Sequence, residues 1–204
     1  MSYPSINVRT NFPQIAAKLD SLGQDIGNKA VVRAINTTMD QGKIQMARQI
    51  SSEFRVSVGT VKERLKVYKA SARNGAIRFI ATLQATNKGP GRSMNLIGFV
   101  TRGKVSKASA KRSGRADLAG QLQFQIKRAG GKKAIKGAFV GNQGRTVFIR
   151  TGKDRLPIKA LNTIDITQMF NTRRVNKLVQ KVMLDKFPPN FQRELRAVLK
   201  GYAR

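Results

Sequence analysis

The spacing of apolar residues predicts a helical N-terminal region over residues 12 to about 54. Asn11 can cap this region, and Pro13 stands in a first turn, where a missing N–H is tolerated. Apolar residues mostly three or four positions apart mark one buried stripe. Its members are Ile15, Leu19, Leu22, Ile26, Val31, Ile35, Met39, Met46, Ile50 and Phe54. Each glycine here weakens a helix by about 1 kcal/mol relative to alanine. We therefore expect one helix with a break, or two helices, with the break between Gly23 and Asn28.

The apolar period changes after this region. Thr60 and Glu63 have the spacing of a capping box and predict a short helix over about 58 to 67 with a basic face. Residues 76–83 and 96–101 are apolar runs with β-branched and aromatic members, which predict strands. The glycines and the proline between these two runs suit a turn or loop.

The densest apolar pattern predicts a β-hairpin. Residues 137–140 and 146–150 read as two short strands, and residues 142–144 form the turn between them. An earlier strand is expected over 122–126, where apolar and polar residues alternate. Pro157 indicates a sheet edge or the end of a strand, because proline cannot donate to a ladder.

The C-terminal part is predicted to be helical again. Apolar residues recur at helical spacing before Pro188 and Pro189, which are expected to break the chain. A final helix should then start near Asn190. The predicted apolar positions are Val175, Leu178, Val179 and Val182 before the prolines, and Phe191, Leu195, Val198 and Leu199 after them.

These elements predict an α+β fold, with a long N-terminal helix packed on an antiparallel sheet. We expect a single domain over residues 1–204. Its parts are a helical N-terminal part (1–70), a β-sheet part (76–158) with a basic loop (102–120), and a C-terminal helical part (159–204).

The charge of the chain points to a polyanionic partner. The 204 residues include 40 Lys and Arg, 10 Asp and Glu and no His, for a formal net charge of +30. Between Arg64 and Lys153 the only acidic residue is Asp117. A soluble monomer does not need such an excess, because the self-repulsion opposes compaction. Nucleic acid is therefore the first candidate partner from charge alone.

Composition also argues against several kinds of site. The chain has no Cys and no His, so disulfides, Cys/His zinc sites and Ser-His or Cys-His catalytic groups are excluded. The ten acidic residues stand singly, without the cluster typical of a two-metal nuclease. No run approaches the ~20 apolar residues of a membrane span, and the N-terminus does not resemble a signal peptide. We expect no catalytic residue, cofactor, metal or membrane partner.

The mid-chain basic loop is the best candidate for electrostatic contact with a partner. It is rich in Ser, Gly, Lys and Arg and has no core-forming pattern, so we expect a mobile arm in the unbound protein. Such an arm would neutralise phosphates or meet an acidic protein surface; alternatively, it is only a solvated loop. Its cations are Arg102, Lys104, Lys107, Lys111, Arg112 and Arg115.

One block of the sequence resembles a known family. Gly137-Ala-Phe-Val, Thr146-Val-Phe-Ile-Arg and Gly152-Lys-Asp-Arg-Leu-Pro-Ile are similar to the hallmark block of the lambda-like phage minor tail protein Z family, the tail completion proteins. Further features match in order: Ala34-Ile-Asn, Val61-Lys-Glu-Arg-Leu-Lys, the basic loop, and a C-terminal segment beginning Phe187-Pro-Pro-Asn.

The resemblance implies a structural virion protein without catalysis, assembled in the host cytoplasm. It implies a ring of copies of this chain, expected to be a hexamer, in the head–tail connecting (neck) region of a long-tailed phage. The expected neighbours are tail terminator, tail tube or connector proteins, with genomic DNA or the tape-measure protein in the channel. Phe139, Phe148, Arg155 and Pro157 are the candidates for core or ring interface.

Two other functions stay open from the residues alone. The basic composition also suits a general nucleic-acid-binding protein, similar to a ribosomal protein. A nuclease would need carboxylates distant in the sequence to converge at one metal site.

Overall fold

The chain folds as an α+β protein. The computed structural model describes residues 5–7, 24–73, 76–86, 93–102, 106–114 and 119–202. The helices are α1 (Gln24–Glu53), α2 (Val58–Arg64), α3 (Lys107–Arg112), α4 (Ile166–Phe170) and α5 (Arg173–Tyr202). The strands are β1 (Ser5–Asn7), β2 (Leu65–Tyr68), β3 (Ser71–Arg73), β4 (Ala76–Arg78), β5 (Thr82–Ala85), β6 (Met94–Asn95), β7 (Val100–Arg102), β8 (Leu122–Phe124), β9 (Lys133–Ile135), β10 (Phe139–Gly141), β11 (Thr146–Arg150), β12 (Ile158–Ala160) and β13 (Asn162–Thr163).

The chain divides into two compact units. Unit 1 comprises Met1–Gln49, Gly59–Thr86 and Phe170–Arg204, and unit 2 comprises Ile50–Val58 and Asn87–Met169. Unit 1 therefore holds most of the two long helices, and unit 2 holds most of the short strands.

Unit 1 is built on two long antiparallel helices. Asn190 of α5 donates from Nδ2 to Thr38 Oγ1 of α1 at 2.9 Å and to Gln41 Oε1 at 3.0 Å. One turn along α1, Met183 of α5 fills the space that a Cβ at Gly42 would take. Because rising numbers on α1 meet falling numbers on α5, the helices run antiparallel. Both bury apolar stripes, which drives their association.

The larger sheet of unit 1 has the strand order β1-β5-β2, with antiparallel pairing throughout, and β3 and β4 pair as a separate two-stranded antiparallel sheet. Leu65 of β2 and Leu83 of β5 are buried in the hydrophobic core of unit 1. α1 is tied to the chain beyond β2 by a paired contact: Asn36 Nδ2 donates to Ala70 O at 3.0 Å, and Ala70 N–H donates to Asn36 Oδ1 at 2.8 Å.

Unit 2 contains three small antiparallel sheets, ordered β7-β8-β9, β10-β11-β12 and β6-β13. Asn95 joins two of them with one side chain. Its Oδ1 accepts from Val147 N–H of β11 at 2.8 Å, and its Nδ2 donates to Asn162 Oδ1 of β13 at 3.3 Å. Leu96, Phe99 and Phe124 are among the buried residues of this unit.

The predicted hairpin is confirmed. β10 and β11 pair in antiparallel register from Phe139 opposite Phe148 to Gly141 opposite Thr146. Asn142 and Gln143 have φ values of 49° and 53°, and Gly144 has φ 85°, so the connection uses the left-handed region that asparagine and glycine tolerate best. Pro157 immediately precedes β12, as expected for a strand end.

The N-terminal helix runs without the predicted break within residues 24–28. α1 is continuous for 30 residues from Gln24 to Glu53. Gly27 and Gly42 are both buried, so packing outweighs their low helix propensity. The predicted start near residue 12, the cap at Asn11 and the stripe positions up to Leu22 lie outside the described residues.

Three predictions near the first strands were wrong. The helix expected to reach residue 67 ends at Arg64, because Leu65 to Tyr68 pair with β5 instead. The strand expected over 96–101 begins as a 3₁₀ turn at Leu96–Phe99, capped by Asn95 Oδ1 accepting from Ile97 N–H at 3.0 Å, and becomes extended only from Val100. The strand expected over 76–83 is interrupted, since β4 and β5 are separate.

The break expected at Pro188 and Pro189 is also absent. α5 continues through both prolines for 30 residues. Each proline removes a helix hydrogen bond and costs about 3 kcal/mol or more. Buried aromatic side chains on the same helix offset this cost: Phe187 and Phe191 stack with ring centroids 6.2 Å apart, and both are buried.

Candidate functional site

The basic mid-chain segment contains a short capped helix, where a mobile loop was expected. Ser106 caps α3 by accepting from Ser109 N–H at 3.2 Å, and the Ser113 hydroxyl donates to Ala110 O at 3.0 Å at the other end. Ala110 is buried and packs against Ala119 and Ala134 of unit 2. The expectation of a loop is corrected over residues 107–112, because a single small apolar residue anchors the helix.

Of the six cations predicted in this segment, three are presented together by α3. Lys107 and Lys111 are four residues apart and so lie on the same side of the helix, with Arg112 beside them. All three are exposed. Arg102 lies on β7, where the structure describes its backbone only, and Lys104 and Arg115 lie outside the described residues.

A second basic segment, which the sequence prediction did not single out, lies beside α3. Ala134, against which Ala110 packs, belongs to β9, and exposed lysines stand on either side of it. The cations of this second segment are Lys127, Arg128, Lys132, Lys133 and Lys136, all exposed. The sequence could have indicated this segment, since residues 127–136 contain five cationic residues and no acidic residue. α3 and this segment form what we call the basic surface of unit 2.

A second candidate surface is one face of the β10-β11-β12 sheet. Phe139, Phe148 and Ala160 are aligned across the three strands, so they share a face. The two phenyl rings are half-buried, with centroids 6.0 Å apart. Arg150, two residues along β11 on the same face, places its Cζ 4.9 Å from the Phe139 ring centroid. Ile158, opposite Arg150, is exposed. We call this the aromatic face.

Arg155 and Pro157 do not lie in the core. Both are exposed on the loop that joins β11 to β12. The loop is closed at its base by Thr151, whose N–H and hydroxyl donate to Pro157 O at 3.2 Å and 3.1 Å. A role for these two residues at an interface stays a prediction.

The described part of the chain offers no metal centre. Its Asp and Glu residues nowhere gather in groups of three or more that could hold an ion. One buried carboxylate, Asp165, caps α4 by accepting from Ile166 N–H at 2.7 Å, and Gln168 Oε1 accepts in return from Asp165 N–H at 3.1 Å. This reciprocal pair is structural. Among the described helices, none is both long and apolar enough to cross a membrane.

Comparison with known families gives one match over nearly the whole chain. Residues 13–203 match the family model described as prophage minor tail protein Z. Searches of the curated proteins and of the solved structures found no match. The family match covers both units, the basic surface and the aromatic face.

Proposed function

We propose a tail-completion role for this chain, which belongs to the prophage minor tail protein Z family and so is a minor tail protein of a phage particle. In the proposal, copies of the chain form a ring in the neck of a long-tailed phage. The ring completes the tail, allows it to join the head and holds the end of the genome. The observation that carries this proposal is the family match over residues 13–203.

The aromatic face supports self-association. β10 and β12 are the outer strands of their sheet, and each pairs with β11 on its inner side. Outer strands offer backbone groups to a neighbouring chain. Phe139, Phe148 and exposed Ile158 add apolar area beside those edges. A head-to-tail contact of this surface with a different surface of the next copy would close a ring if the rotation is right.

The basic surface supports contact with acidic neighbours. A ring of protomers with a net charge of +30 needs compensating charge. We propose acidic faces of adjacent tail terminator, tail tube or connector proteins as the partners of the outer surface. DNA or the tape-measure protein would meet whatever lines the channel.

Deletion of the gene from an inducible prophage tests the proposed role. Without this chain we expect filled heads and separate tails in the lysate, and a fall in infectious titre of several orders of magnitude. Supplying the wild-type chain from a plasmid should restore joined particles. Normal particles and titre from the deletion strain would contradict the proposal.

A matched pair of variants tests the aromatic face. Phe148→Glu alters this face, and Lys159→Glu alters the opposite face of the neighbouring strand, where Lys159 is exposed opposite Ile149. We expect only Phe148→Glu to fail in complementing the deletion while keeping its circular dichroism spectrum. Equal complementation by both would remove the aromatic face from the proposal.

A further inference from the structure

Unit 2 has an apolar groove whose lining includes no residue of the aromatic face. Its volume is about 540 Å³, within the range of pockets that hold ligands. β8, β9 and the segments around β6 and β13 supply its walls. The apolar lining residues are Leu96, Phe124, Ile126, Ala134, Ile135 and Ile164.

One rim of the groove is held in a fixed conformation. Gln125 Nε2 donates to Arg128 O at 3.0 Å and to Gly130 O at 2.9 Å, and Gly130 N–H donates to Lys127 O at 3.0 Å. The Arg128 Nε–H donates to Ser51 O at 2.7 Å in the last turn of α1. The turn at residues 127–130, which forms this rim, is therefore ordered before any partner binds, and this lowers the entropy cost of binding.

The charges at the groove all have one sign. Lys127 and Lys133 are its charged lining residues among those described, and both are exposed. They belong to the basic surface, whose neighbouring members add to the same positive potential. The groove thus combines an apolar floor with a cationic rim. A phosphate backbone would satisfy the rim but leave the apolar floor uncovered, whereas a polypeptide can satisfy both.

We propose that this groove docks an extended segment of another protein that inserts apolar side chains against the half-buried Ile135 and Ile164 and sets carboxylates beside Lys127 and Lys133. The segment is acidic at its ends and apolar at its centre. This inference goes beyond the tail-completion role, since it needs neither a ring nor a place in the neck.

Site-specific photo-crosslinking in particle-producing cells tests the proposal. The crosslinking residue p-benzoylphenylalanine replaces Gly131, which lines the groove and has nothing within 4 Å of a Cβ. Gly152 is the matched control, because it is equally open and lies outside the groove. Mass spectrometry identifies the captured segment. We expect position 131, and not 152, to capture a protein segment with an apolar residue at the crosslink and flanking Asp or Glu.

Charge reversal separates local contact from overall charge. In Lys127→Glu with Lys133→Glu, we expect the crosslink yield to fall about tenfold, because both rim partners of the carboxylates are reversed. The control Lys153→Glu with Lys159→Glu makes the same change of net charge away from the groove and should keep the yield within about twofold. Circular dichroism checks that each variant is folded.

Four results would overturn the proposal. They are capture of DNA, capture of a segment without carboxylates, equal yield in the two charge-reversed proteins, and no capture from position 131. Because the gene deletion tests the tail-completion role separately, either idea can fail alone.

Discussion

The polar contact between the two long helices gives the sharpest test of the packing in unit 1. Asn190 is buried, and its side-chain amide donates to Thr38 Oγ1 at 2.9 Å and to Gln41 Oε1 at 3.0 Å. Asn190→Ala removes both donors. Thr38, only 2% exposed, then keeps a hydroxyl oxygen without its donor.

The expected cost is about 2–4 kcal/mol. A buried polar group left without its partner costs about 1–3 kcal/mol, and the small cavity adds about 1 kcal/mol. Replacing Asn190 and its fully buried partner by apolar residues, in Asn190→Leu with Thr38→Val, should cost less than the single Asn190→Ala change, because the buried Thr38 hydroxyl is then removed and only the half-buried Gln41 amide loses a partner.

Urea unfolding followed by circular dichroism at 222 nm measures these costs, because most residues of α1 and α5 belong to unit 1. Gln180→Ala, at an exposed amide on α5, is the control and should change stability by no more than about 0.5 kcal/mol. The reasoning is refuted if Asn190→Ala matches this control, or if the double variant is less stable than Asn190→Ala.

Three further predictions follow from the described contacts. In thermal unfolding, Gly42→Ala should destabilise the protein by about 1–3 kcal/mol, because the added methyl would overlap the fully buried Met183. The control Gly98→Ala, with nothing within 4 Å of the added methyl, should not destabilise it, and equal effects would contradict the close approach of the two helices. In the same assay, Asp165→Ala should lower the free energy of unfolding by about 1–2 kcal/mol through loss of the α4 cap. Asp165→Asn should cost less stability, because an amide oxygen can still accept from Ile166 N–H, and a larger cost for Asp165→Asn would contradict this explanation. Changing Lys107, Lys111 and Arg112 of α3 together to Glu should lower the plaque count in complementation of the gene deletion at least about tenfold. The matched control changes Lys177, Lys181 and Lys186 of α5 to Glu and should lower the plaque count less. A larger loss for the α5 variant would place the partner contact on α5 instead.

Local patterns were enough to predict the hairpin. Its strands are short runs with β-branched and aromatic residues, its turn residues tolerate positive φ, and the pairing partners are a few residues apart, so no distant contact is needed. The same reasoning failed at Pro188 and Pro189, where the outcome depends on Phe187 and Phe191 being buried in unit 1. Propensity is a weak guide when tertiary burial opposes it.

The candidate surfaces were predictable only in part. The cations of α3 could be read directly from the sequence, but the helix itself depends on Ala110 meeting Ala134, 24 residues further along. The second basic segment was visible as charge alone. The groove beside this segment could not be predicted from the sequence, because its lining residues Leu96, Phe124 and Ile164 come from three separate stretches of the chain. Sequence periodicity indicates which positions of an element are apolar, but it does not indicate which residues from distant elements line the same groove.

Cryo-electron microscopy of purified phage particles tests the central claim most directly. We predict density for this chain as a closed ring at the head–tail junction, with the aromatic face at the contact between copies and the basic surface against an acidic neighbour. A complete junction built without this chain would contradict the tail-completion role and leave general nucleic-acid binding as the function to examine next.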